Sequence, residues 1–332
     1  MKVEIVAELA QGFEGCLEQA KLLVKAAAKA GANAAKFQLI YADELATPDY
    51  EYYDLFTSLE MSDGDWIDIK SVCDEYHIEL ILDVFGSTSL SLAEKLGVET
   101  VKLHATDINN IGFLEKLARS SIKRIMVGAG GAYLDEIRSA IEIISTKQVI
   151  LFHGFQGYPT PIEDNQISRM QLLQNAFSDH KNVVVGFSDH VDPTDPSSIT
   201  VPSYAVGQGA VVLEKHLTLG CCMELEDHEA AMNPDQFKLF VGAIRDIESA
   251  HGDSSLDNDF GMSATEKQYR KNIRRHVVMS GDLQAGKLIR AGDVVLKRTS
   301  SLEAFTDIQT VYNKKLISSL QENSPVTKGD VE

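Results

Sequence analysis

Short apolar runs alternate with longer amphipathic stretches along the first three quarters of the chain. The short runs are rich in β-branched residues and nearly continuous in apolar character, as parallel strands that are buried on both faces require. Each is bounded by turn-forming or charged residues. We predict eight strands from this pattern, at 3–9, 34–40, 79–85, 100–105, 123–129, 149–155, 182–188 and 211–217.

The stretches between these runs show the spacing of amphipathic helices. The first ends at Gly31, a residue that commonly terminates a helix. Strands that alternate with helices pair in parallel, and eight such units in about 250 residues are typical of a closed (β/α)₈ barrel, the TIM barrel. Helices are predicted at 14–30, 87–96, 111–118, 134–144, 167–177 and 234–250.

An open, doubly wound sheet is the alternative arrangement of the same elements. Such a sheet is expected to carry a glycine-rich phosphate-binding turn after its first strand. The corresponding stretch here reads AELAQGFEG, which does not match GxGxxG. The pattern therefore favours the closed barrel.

The composition changes after Gly252. The stretch HGDSSLDNDFG is polar and rich in Gly, Ser and Asp, which is typical of a linker. We therefore predict a catalytic barrel over residues 1–252, a linker over 253–272 and a small second domain over 273–332.

The charge balance narrows the classes of partner. The chain of 332 residues has 31 basic and 49 acidic residues, a net charge of −18. This balance disfavours a nucleic-acid-binding or membrane-surface protein, and an anionic substrate would need local cations. There is no signal-peptide pattern or membrane-spanning run, and the four cysteines form no CxxC pair, so we expect a cytoplasmic protein with free thiols.

Charged and polar side chains interrupt the predicted strands near their carboxyl ends. In a (β/α)₈ barrel these ends form the face that carries the active site. Burial of a charged group costs free energy unless the group is paired or functional, so these residues are not explained as ordinary surface side chains. Seven of the eight strand ends carry such groups: Glu8, Lys36 and Gln38, Asp83, Lys102 and His104, His153, Asp189 and His190, and Glu214 and His216.

His190 and His216 follow neighbouring strands, in the sequences SDH and EKH. A single histidine at such a place is usually a hydrogen-bonded core residue. Two at adjacent strand ends can bind one ion, because imidazole nitrogen is a common ligand of divalent transition metals. We therefore predict a divalent-metal site on this pair.

Lys36 and Lys102 interrupt the second and fourth strands. They could be lysines that extend to solvent from the barrel rim. In an acidic protein, a pair of cations for a phosphate or carboxylate group is the favoured interpretation. Asp227 follows the eighth strand on a loop and Tyr158 lies in the turn YPTPIED, so both could be ordinary loop residues or could face the barrel mouth.

Five motifs together resemble the sialic acid synthase family: KFQ (36–38), YPTP (158–161), GFSDH (186–190), EKHLTL (214–219) and DHEAAMNPDQF (227–237). RRH at 274–276 and KR at 297–298 are similar to the antifreeze-like (SAF) domain of that family. The resemblance covers nearly the whole chain, and its combination of motifs is specific.

The resemblance implies that phosphoenolpyruvate condenses with an aldose similar to N-acetylmannosamine, giving a sialic-acid-like 2-keto sugar acid and phosphate for surface polysaccharide. It implies that Mn²⁺ or Mg²⁺ is bound by His190 and His216, that Lys36 and Lys102 hold phosphoenolpyruvate, and that the protein is a domain-swapped homodimer. The remaining residues with implied catalytic or substrate-binding roles are Glu8, Gln38, Thr106, Asp107, Tyr158, Ser188, Asp227 and, from the partner's small domain, Arg298.

Several motifs depart from the family pattern. QGFEG stands in place of NHNG, KLHATD in place of KIASGE, GAGG in place of STGM, and Gly157 in place of an asparagine. Several hydroxyl and amide contacts to substrate are therefore missing. Thr106 could supply a substitute hydroxyl, and backbone N–H groups of the GAGG loop could bind the phosphate.

Two other functions stay open on these departures. One is a metal-dependent aldolase or lyase on the same barrel, acting on pyruvate or another keto acid. The other is a non-catalytic carbohydrate-binding protein, although the presence of His190, His216, Lys36 and Lys102 argues against it.

Overall fold

The computed structural model describes residues 2–252 and 259–332. The chain divides into two compact units, Met1–Gly252 and Asp253–Glu332. Each unit has a hydrophobic core of its own.

The first unit is a closed barrel of eight parallel strands in sequential order, which confirms the predicted fold and excludes the open sheet. Each strand lies within two residues of its predicted limits. The strands are β1 Glu4–Ala10, β2 Ala34–Gln38, β3 Glu79–Asp83, β4 Thr100–Leu103, β5 Arg124–Gly128, β6 Gln148–His153, β7 Val183–Asp189 and β8 Val212–His216.

Ten α-helices belong to the described part of the barrel unit. The six predicted helices are present, and the sequence pattern missed α2, α3, α4 and α9. The helices are α1 Leu17–Ala30, α2 Ala42–Leu45, α3 Tyr53–Leu59, α4 Asp63–Glu75, α5 Ser87–Lys95, α6 Ile111–Arg119, α7 Leu134–Ile143, α8 Arg169–Ala176, α9 Ser197–Gly207 and α10 Pro234–His251.

The interior of the barrel is built in layers because successive side chains of a strand point to opposite faces. The lower layer is apolar and fully packed. It comprises Val6, Ala34, Ile81, Met126, Ile150, Phe152 and Val212. Two residues further along several of these strands, the inward positions are charged, so that a polar layer begins directly above an apolar floor.

The second unit contains a two-stranded antiparallel sheet, β9 His276–Met279 with β10 Val294–Lys297. Its core is formed by apolar side chains from both strands and from the later loops. Helix α11, Ala264–Ile273, precedes this sheet, so much of the segment predicted as a linker is helical. Its cap, where Ser263 accepts a hydrogen bond from the Glu266 N–H, is a helix-start signal within the polar stretch.

Within the ranges that the structure describes, no helix combines the length and the apolar character needed to cross a membrane.

Candidate active site

Lys36 lies at the centre of the polar layer. Its side chain is fully buried, and its Nζ lies 2.8 Å from Asp83 Oδ1 and 3.6 Å from Glu214 Oε2. The Glu8 carboxyl group is its third partner. Strand register explains the arrangement, because Glu8 is paired with Lys36 across β1 and β2. Three carboxyl groups thus surround one ammonium group.

Lys102 extends the network to the other side of the barrel. Its Nζ donates a 2.5 Å hydrogen bond to Glu214 Oε1, which also accepts a 2.7 Å bond from Ser188 Oγ. The Lys102 ammonium lies 5.6 Å from the centre of the Phe152 ring. Glu214 therefore links both buried lysines.

Burial and charge pull the pKa values of the three carboxyl groups apart. Burial raises the pKa of Glu8 to about 8, and Lys36 offsets only part of this effect. For Glu214, the charges of Lys102 and Lys36 outweigh burial and hold its pKa below the ordinary range. Lys36 and His104 do the same for Asp83. At neutral pH, Glu8 is then mostly protonated, while two carboxylates balance two ammonium groups.

His190 and His216 lie side by side at the mouth, with ring centres 5.2 Å apart. The Tyr158 ring packs edge-on against both imidazoles, with its centre 5.2 Å from that of His190 and 5.5 Å from that of His216. Burial lowers the pKa of His190 to about 3, and burial together with His190 holds the pKa of His216 well below its usual range. Both imidazoles are therefore neutral, the form that binds a metal.

The donor set fits a divalent cation with two protein ligands. The Nδ1 atom of His190 is buried without a hydrogen-bond partner in the described structure. The residues of the described ranges do not provide a cluster of three or more His, Cys, Asp or Glu ligands around one point. Substrate oxygen atoms or water would complete the coordination.

A small cavity opens beside His190. Glycine shapes its wall: a Cβ atom at Gly130 would lie 2.2 Å from the Gly154 carbonyl oxygen, and one at Gly154 would lie 2.3 Å from the Ser188 carbonyl oxygen. The backbone therefore passes too closely for any side chain at these positions. The cavity is lined by Lys102, His104, Ala105, Gly128, Gly130, Phe152, Gly154, Gln156, Ser188 and His190.

Gln38 and Asp227 also lie in the barrel unit. Gln38 ends β2, is buried and accepts a 2.8 Å hydrogen bond from Gln11 Nε2. Asp227 is half-buried on the loop after β8. Burial, with the nearby Glu226 and Glu229, raises the pKa of Asp227 to about 6.

Two predicted residues after β4, Thr106 and Asp107, do not line this cavity. Thr106 is exposed and lines a wider groove with Tyr50 and Phe56, so its hydroxyl does not replace the missing ones. Asp107 is in the same short 3-10 helix after β4. Arg298 is exposed in the second unit, directly after β10.

The sequence pattern placed Asp83, His104 and Glu214 at strand ends without assigning them roles. The structure makes Asp83 and Glu214 the counter-ions of the two lysines. It also brings His104 Nε2 to within 2.8 Å of Asp83 Oδ2. The signal for all three was a polar residue in an apolar strand, which identifies a position but not a partner.

Comparison with known proteins shows the family. The model of the NeuB family matches residues 23–255, and that of the SAF domain matches residues 274–332. The N,N′-diacetyllegionaminic acid synthase of Legionella pneumophila is 29% identical over 349 residues, covering 99% of this chain and 94% of that protein. The spore coat polysaccharide biosynthesis protein SpsE of Bacillus subtilis is 31% identical over 298 residues, covering 85% and 76%.

The fold is likewise shared with a solved structure, that of the N-acetylneuraminic acid synthetase of Leptospira borgpetersenii in complex with citrate. The two chains are 28% identical and superpose with a TM-score of 0.73, covering 82% of this chain and 93% of the other. The family model covers more than half of this chain. The chain is therefore an enzyme of the synthase type and belongs to the NeuB family, with a SAF domain over residues 274–332.

Proposed function

We propose that this enzyme condenses phosphoenolpyruvate with an aldose, an amino sugar similar to N-acetylmannosamine, to give a sialic-acid-like 2-keto sugar acid and phosphate. The product would serve surface polysaccharide synthesis. The proposal rests on one observation: buried Lys102 and neutral His190 line the same cavity. A cation for an anionic donor and a metal-binding imidazole for a carbonyl acceptor are thereby adjacent.

The donor would lie against Lys102 with its phosphate toward the glycine-rich wall. Lys102 reaches the cavity while Glu214 fixes its ammonium group. The N–H groups of Gly130 and Gly131 make no hydrogen bond to the described residues and are suited to an anion. Lys36 does not line the cavity, so it would act on the donor through the electrostatic field of the buried ionic network.

His190 and His216 would hold Mn²⁺ or Mg²⁺ at the mouth, and their nitrogen ligands suit Mn²⁺ better. When bound, the ion would polarise the aldehyde of the acceptor for attack by the methylene carbon of phosphoenolpyruvate. Tyr158 packs against both rings and holds them in place.

Glu8 and Asp227 would move the protons of the reaction. The methylene carbon of phosphoenolpyruvate forms a bond to the aldehyde carbon, and the protonated Glu8 donates to the oxygen that becomes a hydroxyl. Water then adds to the carbon that carries the phosphate, and Asp227 accepts one proton of this water. The bond between that carbon and the bridging oxygen breaks, phosphate leaves with the bridging oxygen and takes up the remaining hydroxyl proton, and the keto group is formed. The raised pKa of each carboxyl group, about 8 and about 6, keeps it near the operating pH of an acid or base.

We also propose that the protein is cytoplasmic and forms a domain-swapped homodimer in which Arg298 reaches the sugar in the partner's barrel. The proposal rests on the resemblance of KR at 297–298 to the family motif and on the match of the SAF domain.

The experiment is a phosphate-release assay with phosphoenolpyruvate, Mn²⁺ and a panel of aldoses that includes N-acetylmannosamine and rarer N-acetylated amino sugars. Release that depends on one aldose supports the proposal. A folded protein that releases phosphate with none of them contradicts it. Turnover of pyruvate without phosphate would identify an aldolase or lyase, and a failure to bind any divalent metal in calorimetry would revive the binding-protein alternative.

A further inference from the structure

His104 directly follows β4 and lines the cavity beside Lys102 and Ala105. Its Nε2 lies 2.8 Å from Oδ2 of Asp83, a carboxylate with no exposed surface, while its own side chain is 13% exposed. The Phe85 ring packs against the imidazole, with the two ring centres 5.2 Å apart. Asp83 and Phe85 therefore hold the imidazole in place, and part of the ring stays exposed.

The rest of the cavity wall has few free polar groups. Ala105, Gly128, Gly130 and Gly154 have no polar side chain, and the Ser188 hydroxyl is used by Glu214. The Lys102 ammonium is also engaged by Glu214. In contrast, the Nδ1 atom of His104 forms no hydrogen bond with the described residues.

We propose that His104 binds the phosphate group of phosphoenolpyruvate through Nδ1–H, with Asp83 as the positioning residue. This inference rests on the proposed function and names a contact within that site. Asp83 accepts the Nε2–H hydrogen bond and orients the ring, and with the phosphate bound the ring lies between two anions and donates from both nitrogens. The exposed Nδ1–H then donates a charge-assisted hydrogen bond to the phosphate.

The charged groups around His104 come from four neighbouring elements. Asp83 on β3 contacts the ring and is shared with Lys36 on β2. Lys102 lies on β4, and Asp107 belongs to the short helix that follows. Lys102 lines the same cavity, so His104 and Lys102 would contact the donor together.

The test compares His104→Ala with His180→Ala, a control histidine before β7 that does not line the cavity. For His104→Ala we expect the KM for phosphoenolpyruvate to rise about tenfold or more, the effect of losing a hydrogen bond to a charged group. The KM for the aldose should stay within about twofold, as should both constants in the control. Addition of imidazole to His104→Ala should restore part of the affinity.

Two further variants separate binding from a structural role. His104→Gln can still donate to Asp83 but has no donor at the position of Nδ1, so the KM for phosphoenolpyruvate should rise as it does in His104→Ala. Introducing Ala105→Ser into His104→Ala puts a hydroxyl back in the cavity wall and should recover part of the affinity. A KM for phosphoenolpyruvate within about twofold of wild type in both His104→Ala and His104→Gln overturns the inference.

Failure of the proposed function would be visible separately. If the wild type releases no phosphate with any aldose, inorganic phosphate is titrated into wild type and His104→Ala and followed by calorimetry. Weaker phosphate binding in the variant supports the role of His104 as an anion ligand. Equal binding, or none in either protein, overturns it.

Discussion

Lys102 on β4 and Glu214 on β8 meet across the barrel, with Nζ and Oε1 2.5 Å apart. These strands are four apart in a closed ring of eight, so the contact spans the interior. Glu214 also lies 3.6 Å from Lys36, which brings Asp83 into the same network. The polar layer is therefore one ionic unit that sets the charge of the cavity wall.

Glu214→Gln removes the carboxylate that both buried lysines share. We expect it to lower the free energy of unfolding by about 3–5 kcal/mol, because a buried charge is left without compensation. Urea denaturation measures the change. The matched control is Glu99→Gln, which breaks an exposed pair with Lys123 and should cost at most about 1 kcal/mol. Equal losses in the two variants would mean that the polar layer is not a coupled network.

Glu8→Gln tests the protonation state assigned to Glu8. The folded protein holds this proton up to about pH 8, whereas an unfolded glutamate releases it near 4.5. Stability contributed by Glu8 is therefore fully present below 4.5 and is lost as pH rises toward 8. The free energy of unfolding of wild type should fall across this window, and that of Glu8→Gln should fall less. Parallel curves from pH 5 to 8 would show that Glu8 is ionised in the folded state.

His216→Ala tests the metal pair without any assay of activity. Calorimetric titration of Mn²⁺ should show one site in wild type and an affinity at least tenfold weaker in the variant. Loss of a residue that only orients a metal ligand already weakens binding by about tenfold or more, so loss of a ligand should cost at least as much. His180→Ala should bind as wild type does. Unchanged Mn²⁺ binding in both His216→Ala and His190→Ala would place the ion elsewhere.

Gly130→Ala tests the backbone contact that shapes the cavity. The new methyl group would lie 2.2 Å from the Gly154 carbonyl oxygen, so the wall must shift and affinity for phosphoenolpyruvate should fall. Gly112→Ala is the control: its Cβ meets nothing within 4 Å in helix α6, and the change should stabilise the protein by about 0.5–1 kcal/mol. Wild-type affinity in Gly130→Ala would show that this loop does not contact the donor.

The proposed domain swap predicts complementation between two inactive variants. His216→Ala lacks the metal site and Arg298→Ala lacks the residue offered to the partner. In an equal, re-equilibrated mixture, half of the dimers combine the two variants and each has one intact site. Activity should therefore recover to about a quarter of wild type. No recovery, with exchange of subunits verified by mass, would contradict the swap.

The barrel was predictable because buried parallel strands leave a strong pattern of continuous apolar residues. Helices α4 and α9 were not predictable by the same means. Helix α4 has polar residues at most positions, although the capping box of Ser62 and Asp65 marks its start. Helix α9 has Pro202 within it, a residue that usually argues against a helix.

The site was predictable only as a set of positions. Lys36, Lys102 and Lys215 all interrupt apolar strands, and the strand pattern alone does not tell them apart. In the structure Lys215 instead forms a buried pair with Asp189 and donates to the Val191 carbonyl. Strand register and stagger decide which side chains meet, and these depend on closure of the whole barrel.

The most direct test of the central claim follows both products of one reaction. Wild-type enzyme is incubated with Mn²⁺, an aldose and phosphoenolpyruvate labelled with ¹⁸O at the bridging oxygen, and mass spectrometry analyses the mixture. The account predicts ¹⁸O in the released phosphate and an equal amount of a 2-keto sugar acid that joins the three donor carbons to the sugar. Label retained in pyruvate, or phosphate released without a joined product, would contradict it.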